Sequence, residues 1–337
     1  MQNHQEFFEE FIKAKADSFT ALPQSGSSRI NYIGESGTQK YVVTYNENHR
    51  ENNAFFYFSD LFESLNLNTP KILRINTDNT LYIQEFLGDK TLSEIISNEG
   101  QSERVKKLVK KSLEKLFQLQ MKTLGKTDFS NSFEYEKYDD LPITHDLYYF
   151  KNFLVDVLEI GYHKSTLLKE FQLISEKIRN LKPKTLMIRD FQSRNILVND
   201  NDEVFFIDYQ SAMEGPATYD VISFLFQAKA NFTKEFRAEM LDYYLSFWND
   251  DDKKILAESF EWMKLMRFLQ VLGAYGFRGL IQRKKHFMAS LLQGIDNAYE
   301  LTQSWNEISL QFPELYFLIL KLKSQDIRLK IESMIID

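Results

Sequence analysis

The sequence predicts an α+β fold, with a β-rich N-terminal part followed by a larger, mainly helical part. Four early segments are predicted to be strands, and the first two alternate between apolar and polar residues: residues 29–33, 40–45, 69–75 and 80–87. Between residues 91 and 182 the apolar residues recur mostly at helical spacing, most clearly in residues 102–123. Two short apolar runs, residues 196–198 and 204–207, flank a polar patch and predict a β-hairpin.

The composition is that of a soluble globular protein and excludes several functions. The 337 residues carry a net charge of −7, and no basic stripe indicates a nucleic-acid partner. The most basic cluster, residues 104–115, is predicted to be the solvated face of a helix. The chain has no cysteine, and its five histidines show no zinc-binding spacing. Without an apolar run of membrane-spanning length or a signal peptide, we expect a cytoplasmic protein with no membrane partner.

The predicted hairpin carries the most informative polar residues. A turn centred on Asn201 and Asp202 would place Asn195 opposite Asp208, at the open end of the hairpin. Asp190 lies on the loop that leads into the first strand. Two neighbouring oxygen ligands with a third carboxylate close by suit a hard cation and a proton acceptor.

This arrangement resembles the catalytic core of the protein-kinase-like fold, above all its small-molecule branch, the aminoglycoside phosphotransferase and choline kinase relatives. The resemblance implies that Asp190 orients the attacking hydroxyl or accepts its proton, and that Asn195 and Asp208 hold Mg²⁺ on the phosphates of ATP. It also implies two lobes, residues 1–88 with a nucleotide-binding sheet and residues 89–337 with the catalytic loop and the acceptor site. The absence of a long activation segment after Asp208 favours a small-molecule acceptor.

The remaining nucleotide-binding candidates lie in the N-terminal part. Small residues that let the backbone approach a phosphate are followed by a cation: Ser25, Gly26, Ser27, Ser28 and Arg29. By resemblance to the hinge of the kinase-like fold, backbone groups near Glu85 and Leu87 would hydrogen-bond the adenine edge.

One position departs from the family pattern. The third strand of the family normally carries a phosphate-binding lysine, but the interior of residues 40–45 has none; Lys40 is at the start and Arg50 follows. Three alternatives stay open: another basic residue substitutes, metal and backbone hold the phosphates, or catalysis is impaired. Glu51 is either the acidic partner of a phosphate-binding cation or an acidic residue that stabilises its helix by interacting with the helix dipole. By resemblance, Asp220 of Pro-x-x-Tyr-Asp would brace the catalytic loop.

Residues 266–279 and the Asp-Tyr-Gln at 208–210 are similar to segments of bacterial anomeric amino-sugar kinases, which act on N-acetylmuramate and N-acetylglucosamine. The candidate acceptor-binding residues are Asp146, Tyr149, Arg194 and Arg278. The three glycines within residues 266–279 indicate either tight helix packing or the close approach of a ligand.

We therefore expect a monomeric, ATP- and Mg²⁺-dependent kinase that phosphorylates a hydroxyl of a small molecule, an amino sugar first of all. Two alternatives stay open. The acceptor could be an aminoglycoside or a choline-like alcohol. The missing strand lysine, together with Ile188 where many relatives have His, also allows a nucleotide-binding pseudokinase.

Overall fold

A computed structural model describes residues 2–23 and 28–336, except for the side chains of Gln2, His286, Ile335 and Ile336. The chain divides into two compact units. The first unit comprises Met1–Glu136 and Ile188–Met213, and the second comprises Lys137–Met187 and Glu214–Asp337. This division falls at other residues than the expected lobe boundary between residues 88 and 89, which stays a prediction.

The strands follow one another along the chain as β1 (Ser18–Ala21), β2 (Ile30–Ser36), β3 (Gln39–Tyr45), β4 (Ile72–Ile75), β5 (Leu81–Glu85), β6 (Lys90–Thr91), β7 (Lys184–Met187), β8 (Ile196–Val198), β9 (Val204–Phe206) and β10 (Met213–Pro216). β7 pairs with β10, and the others form two sheets of the first unit.

The helices of the first unit are α1 (Gln2–Ile12), α2 (His49–Ser64), α3 (Leu92–Glu99) and α4 (Glu103–Thr123). Those of the second unit are α5 (Asp140–Phe150), α6 (Lys164–Asn180), α7 (Thr218–Leu225), α8 (Lys234–Leu245), α9 (Asp250–Tyr275), α10 (His286–Ser304), α11 (Glu307–Gln311), α12 (Pro313–Lys323) and α13 (Gln325–Ile336). Within residues 2–23 and 28–336, none of them has both the length and the apolar character needed to cross a membrane.

The larger sheet of the first unit is antiparallel, in the order β1-β2-β3-β5-β4. On one face, the ring of Phe8 from α1 packs into a buried apolar core. A Cβ on Gly34 would meet this ring at 2.5 Å, which is why a glycine stands inside β2. β2 runs on to Ser36, and Gly37 takes the left-handed conformation in the turn that follows, with φ of 61°.

The other face of this sheet packs on α2. The ring of Tyr82 in β5 lies 5.3 Å from that of Phe55 and 5.1 Å from that of Phe56. Thr44 of β3 is paired directly with Tyr82 and with Asn31 of β2, so these three side chains share the α2 face.

The smaller sheet joins the chain after β5 to the predicted hairpin, in the order β6-β8-β9. Lys90 pairs with Val198 and Thr91 with Leu197. Gly88 has φ of 131°, and a Cβ there would lie 3.1 Å from the carbonyl oxygen of Val198. A glycine is thus required where the chain turns toward the hairpin.

Close packing in the second unit accounts for two of the glycines in residues 266–279. A Cβ on Gly273 would lie 2.6 Å from the backbone nitrogen of Phe150 in α5. A Cβ on Gly276 would lie 2.3 Å from the carbonyl oxygen of Phe153 in the π-helical turn that follows α5. Of the two interpretations of these glycines, the structure therefore supports tight helix packing.

Several elements differ from the sequence-based prediction. The helical region expected between residues 91 and 182 is interrupted: α5 begins at Asp140, because Asp139 caps its N-terminus, and ends in a π-helical turn at Lys151–Val155. Neither β1 nor α10 was predicted. β1 is a four-residue edge strand without alternating burial, which leaves almost no signal in the sequence.

Lys184, at the start of β7, is half-buried, and its ammonium group is destabilised there. Burial, with the charge of Lys182 adding to it, lowers the pKa of Lys184 to about 8. Because the unfolded chain binds this proton more tightly, stability is expected to rise with pH between about 8 and 10.5. Lys184→Met should stabilise the protein at pH 7 by about 1–2 kcal/mol, a figure discounted for partial exposure.

Urea unfolding at pH 7 and pH 10.5 checks this expectation. Lys169→Met on the exposed face of α6 is the matched control, and should change stability by less than about 0.5 kcal/mol. An equal gain for Lys184→Met at both pH values would show that the gain comes from packing instead of charge.

Candidate active site

The hairpin forms as predicted, but its register differs by one residue. Ile196 pairs with Phe206 and Val198 with Val204, so Asn195 lies opposite Ile207, whose N–H donates to the Asn195 carbonyl at 3.0 Å. The predicted pairing of Asn195 with Asp208 is therefore wrong.

The reason lies in the turn, which has three residues at its tip. The Asn199 side-chain oxygen accepts from the N–H groups of Asn201 and Glu203 at 3.0 and 2.9 Å, and Asp202 adopts a left-handed φ of 56°.

Part of the basic cluster on α4 binds this turn instead of only facing solvent. Arg104 donates to both carboxylate oxygens of Asp202, and Lys111 Nζ donates to the Glu203 carboxylate at 2.9 Å. These contacts hold the tip of the hairpin against α4, and they correct the expectation of a simply solvated helix face.

Asp190, Asn195 and Asp208 are nevertheless brought together within the first unit. The side-chain amide of Asn195 donates to the backbone carbonyl of Asp190 at 2.9 Å and to Asp208 Oδ2 at 3.3 Å. Asn195 is nearly buried, in the short 3₁₀ turn Ser193–Asn195 that leads into β8. The Asn195 amide thus connects the loop that carries Asp190 to the carboxylate of Asp208.

Two residues at this site have unusual backbone conformations. Arg189, just before Asp190, has φ of 71°, and Asp208 has φ of 65°. For residues other than glycine, the left-handed region costs about 1–2 kcal/mol each. Tertiary contacts must offset this cost, and such strain is frequent where side chains are held for function.

Tyr209, which follows Asp208, fastens the end of the hairpin to α2. Its hydroxyl lies 2.7 Å from Ser59 Oγ, and its ring stacks on Phe55 at 5.0 Å. The side chain is fully buried, and burial raises the pKa of its phenol above the ordinary range. The packing of Tyr209 on α2 thereby fixes the chain next to Asp208.

Asp208 is bound by Arg29, the residue just before β2. Arg29 Nη2 donates to Asp208 Oδ1, while Gln210 Nε2 donates to the same carboxylate oxygen at 3.0 Å. Burial alone acts to raise the pKa of Asp208, but the charge of Arg29 and the bonds from Gln210 and Arg29 lower its pKa below the ordinary value. The carboxylate is therefore ionised at neutral pH.

The same guanidinium reaches Glu51 in the first turn of α2. Arg29 Nε lies 3.5 Å from Glu51 Oε1, and the Arg29 side chain is 16% exposed. Glu51 also accepts from Asn46 Nδ2 at 2.9 Å. Arg29 was assigned from the sequence to the phosphate-binding loop, and its link to Glu51 and Asp208 was missed because it depends on tertiary contacts.

Asn195 and Asp208 are the predicted ligands of a divalent cation. Among the described residues, no group of three or more His, Cys, Asp or Glu side chains is placed to hold a metal. Asn195 uses its amide nitrogen for its hydrogen bonds, so its Oδ1 accepts none from the residues described. That oxygen and the Asp208 carboxylate fit Mg²⁺, which takes few protein ligands when phosphates and water supply the rest.

Other predicted nucleotide-binding residues are placed as follows. Ser25, Gly26 and Ser27 lie outside the described residues, and Ser28 is exposed next to them. Glu85 ends β5, and its backbone N–H donates to the Lys71 carbonyl at 3.0 Å, so this N–H is already used within the sheet. Leu87 follows β5 and is half-buried.

The two basic residues near β3 lie apart from the ion pairs of Arg29. Lys40 binds Glu35 at 2.8 Å with its side chain 50% exposed, and it lies over the ring of Phe86. Arg50 is exposed at the start of α2. Ile188, in the position of the family histidine, is a buried core residue.

The acceptor candidates lie mainly in the second unit. Asp146 is buried and accepts from the Tyr138 hydroxyl at 2.9 Å. Tyr149 is half-buried, its ring 4.5 Å from that of Phe153, and Arg278 lies over the ring of Phe287.

Two further predicted residues have different surroundings: the acceptor candidate Arg194, and Asp220, which was predicted to brace the catalytic loop. Arg194, in the first unit, is exposed, and its charge helps to lower the pKa of Asp208. Asp220 is fully buried in the first turn of α7. The roles of all these residues stay predictions.

Comparison with known proteins identifies the family. The model of the phosphotransferase enzyme family, APH, matches residues 19–258. This match spans most of the chain, so the protein belongs to that family. The predicted family and the predicted enzyme class, a phosphotransferase, are confirmed.

Individual relatives are more distant. The N-acetylmuramate/N-acetylglucosamine kinase of Neisseria meningitidis serogroup B is 25% identical over 225 residues, which cover 62% of this chain and 63% of that kinase. The match therefore spans less than two thirds of this relative.

Solved structures confirm the predicted kinase-like fold, with a β-rich N-terminal lobe and a mainly helical C-terminal lobe. The choline kinase LicA from Streptococcus pneumoniae is similar with a TM-score of 0.61 and 12% identity, over 90% of this chain and 100% of that chain. The AMP-bound spectinomycin phosphotransferase APH(9)-Ia has a TM-score of 0.63 and 12% identity, over 90% and 98%.

Proposed function

We propose that this protein transfers the γ-phosphoryl group of ATP to a hydroxyl of an amino sugar such as N-acetylmuramate or N-acetylglucosamine. The observation that carries the proposal is the grouping of Asp190, Asn195 and Asp208 at the open end of the hairpin. In this member of a phosphotransferase family, the Asn195 amide is hydrogen-bonded to the backbone of Asp190 and to the Asp208 carboxylate, and these three residues carry the groups that phosphoryl transfer requires.

In the proposed reaction, the acceptor oxygen forms a bond to the γ-phosphorus while the bond to the β,γ-bridging oxygen breaks and ADP leaves. Asp190 orients the hydroxyl and takes up its proton. The Asn195 amide, bonded to the Asp190 carbonyl, keeps the loop in place. Mg²⁺, when bound with the nucleotide, neutralises phosphate charge, and Asn195 and Asp208 are the residues that would hold it.

The remaining residues take supporting roles in this proposal. Ser25, Gly26, Ser27, Ser28 and Arg29 contact the phosphates, and the chain at Glu85 and Leu87 meets the adenine. Glu51 pairs with the phosphate-binding cation, and Asp220 braces the catalytic loop. The protein acts as a cytoplasmic monomer.

The proposed acceptor rests on the relative's substrate and on an aromatic surface of the second unit. The rings of three residues lie 4.5–5.9 Å apart: Tyr149 in α5, Phe153 in the π-helical turn after it, and Phe277 in a second π-helical turn, Gly276–Ile281. Aromatic rings cover the apolar faces of sugars, and π-helical turns are frequent at functional sites. Arg278, on the same turn as Phe277, supplies a cation for the lactyl carboxylate of N-acetylmuramate.

The two other acceptor candidates, Asp146 and Arg194, take lesser parts. Asp146, bonded to Tyr138, supports the aromatic surface from inside the second unit. The exposed Arg194 is a second cation for the carboxylate-bearing acceptor.

A cationic acceptor is the second candidate, because the choline kinase shares the fold. The discriminating experiment is ADP release by the purified protein with ATP, Mg²⁺ and one acceptor at a time: N-acetylmuramate, N-acetylglucosamine, an aminoglycoside or choline. We expect turnover with the amino sugars. Turnover with choline or the aminoglycoside alone would replace the proposed acceptor, and binding of ATP without turnover on any acceptor would favour the pseudokinase.

Arg278→Ala tests the carboxylate contact within that experiment. Losing charge-assisted hydrogen bonds is expected to lower kcat/KM for N-acetylmuramate by roughly 10- to 100-fold and to leave N-acetylglucosamine nearly unaffected. Arg283→Ala, a change at a nearby exposed arginine, is the matched control. Equal losses on both sugars would make Arg278 a structural residue.

A further inference from the structure

On the α2 face of the large sheet, β3 carries a lysine at its exposed start, Lys40, and none in its interior. Thr44 occupies this face in the middle of the ladder, between Asn31 on one side and Tyr82 on the other. Its hydroxyl donates to Asn31 Oδ1 at 2.8 Å, so the position is filled by neutral hydrogen-bonded groups. If this protein has a counterpart of the phosphate-binding lysine that kinase-like proteins carry in the interior of this strand, a residue outside the interior of β3 must supply it.

Arg29 directly precedes the neighbouring strand, β2, and reaches the same face. It stands two residues before Asn31, and alternate residues of a strand point to the same side. Its guanidinium meets Glu51 of α2 with Nε and Asp208 with Nη2, and Nη1 lies 3.4 Å from Gln210 Oε1. Arg29 therefore links Glu51 of α2 to Asp208, the predicted metal ligand.

We propose that Arg29 takes the place of the missing strand lysine and binds the α- and β-phosphates of the nucleotide. This inference rests on the proposed function. Glu51 holds the guanidinium through Nε, which leaves the Nη edge to a second anion. That anion is Asp208 in this structure; when Asp208 turns to a cation on the phosphates, the Nη edge binds the phosphates instead.

Charge and burial support this exchange. The Arg29 side chain is 16% exposed and the Asp208 side chain 29% exposed. Without Arg29, the partly desolvated carboxylate of Asp208 would lie beside the negatively charged phosphates of the nucleotide. Arginine suits the role because its planar fork serves two anions at once, which a lysine ammonium cannot do in fixed geometry. Lys40 is occupied at the exposed start of β3 by Glu35.

Calorimetry with magnesium present tests the phosphate contact, because Asp208 releases Arg29 only to a cation on the phosphates. ATP, ADP and adenosine are titrated in excess magnesium into the unsubstituted protein and into Arg29→Gln and Arg29→Lys. Arg29→Gln is expected to weaken ATP and ADP binding by roughly 10- to 100-fold and to leave adenosine binding unchanged. Arg29→Lys, which keeps the charge but loses the fork, should fall between the two.

Lys40→Ala and Arg50→Ala are the matched controls, since each removes one of the other cations near β3; both should bind ATP like the unsubstituted protein. Unchanged ATP affinity in Arg29→Gln would overturn the inference and leave the proposed function standing. Equal loss of adenosine binding would overturn it too, because Arg29 would then only support the fold. Absence of nucleotide binding by the unsubstituted protein would overturn the proposed function and the inference together.

Discussion

Replacing Asp190 with Asn is expected to lower the turnover number by roughly 10²–10⁴-fold, the usual contribution of a positioned general base. The substitution keeps the size of the side chain and removes its ability to accept the hydroxyl proton. The backbone carbonyl of Asp190, which the Asn195 amide uses, is unaffected. ATP affinity is therefore expected to stay near that of the unsubstituted protein.

Steady-state kinetics with the best acceptor, together with ATP titration by calorimetry, measure both quantities. Asp200→Asn, which removes an exposed carboxylate from the turn of the same hairpin, is the control and should leave turnover unchanged. Near-normal turnover of a correctly folded Asp190→Asn protein would remove Asp190 from the mechanism.

Replacing Asp208 with Asn is expected to abolish the tightening of nucleotide binding by magnesium, an effect of at least roughly 10- to 100-fold. Two protein oxygens make an incomplete octahedron, so Mg²⁺ needs the phosphates, and without the carboxylate it keeps a single neutral protein ligand. Mg²⁺ should bind the unsubstituted protein only when ATP is present.

Magnesium titrations by calorimetry with and without ATP measure this coupling. Asp202→Asn is a matched control, because Asp202 is another carboxylate of the hairpin bound to an arginine, Arg104. Tight magnesium binding without nucleotide that Asp208→Asn does not change would contradict the assignment of the site.

Most of the site could be predicted from local sequence. The hairpin carries its own signals, two apolar runs and a turn of Asn and Asp, and these bring Asn195 and Asp208 near one another even though the register differs by one residue. That difference depends on Asn199, whose side chain closes a three-residue turn tip. An Asn at this position is compatible with turns of either length, so the sequence did not decide between them.

The cation of the site could not be predicted in the same way. Arg29 is distant in sequence from both Glu51 and Asp208, and only the order of β2, β3 and α2 in space brings the three together. Gly273 and Gly276 were ambiguous for a similar reason: their close contacts are with the segment around Phe150 and Phe153. Such pairings leave no periodic signal in the chain.

A crystal structure with Mg²⁺ and a non-hydrolysable ATP analogue tests the proposed active site most directly. We expect Mg²⁺ to be bonded to Asn195 Oδ1 and to an Asp208 carboxylate oxygen at about 2.0–2.1 Å. Arg29 should bind the phosphates. The Asp190 carboxylate should face the γ-phosphate from the acceptor side. A nucleotide bound away from these residues, or Mg²⁺ held by other side chains, would contradict it.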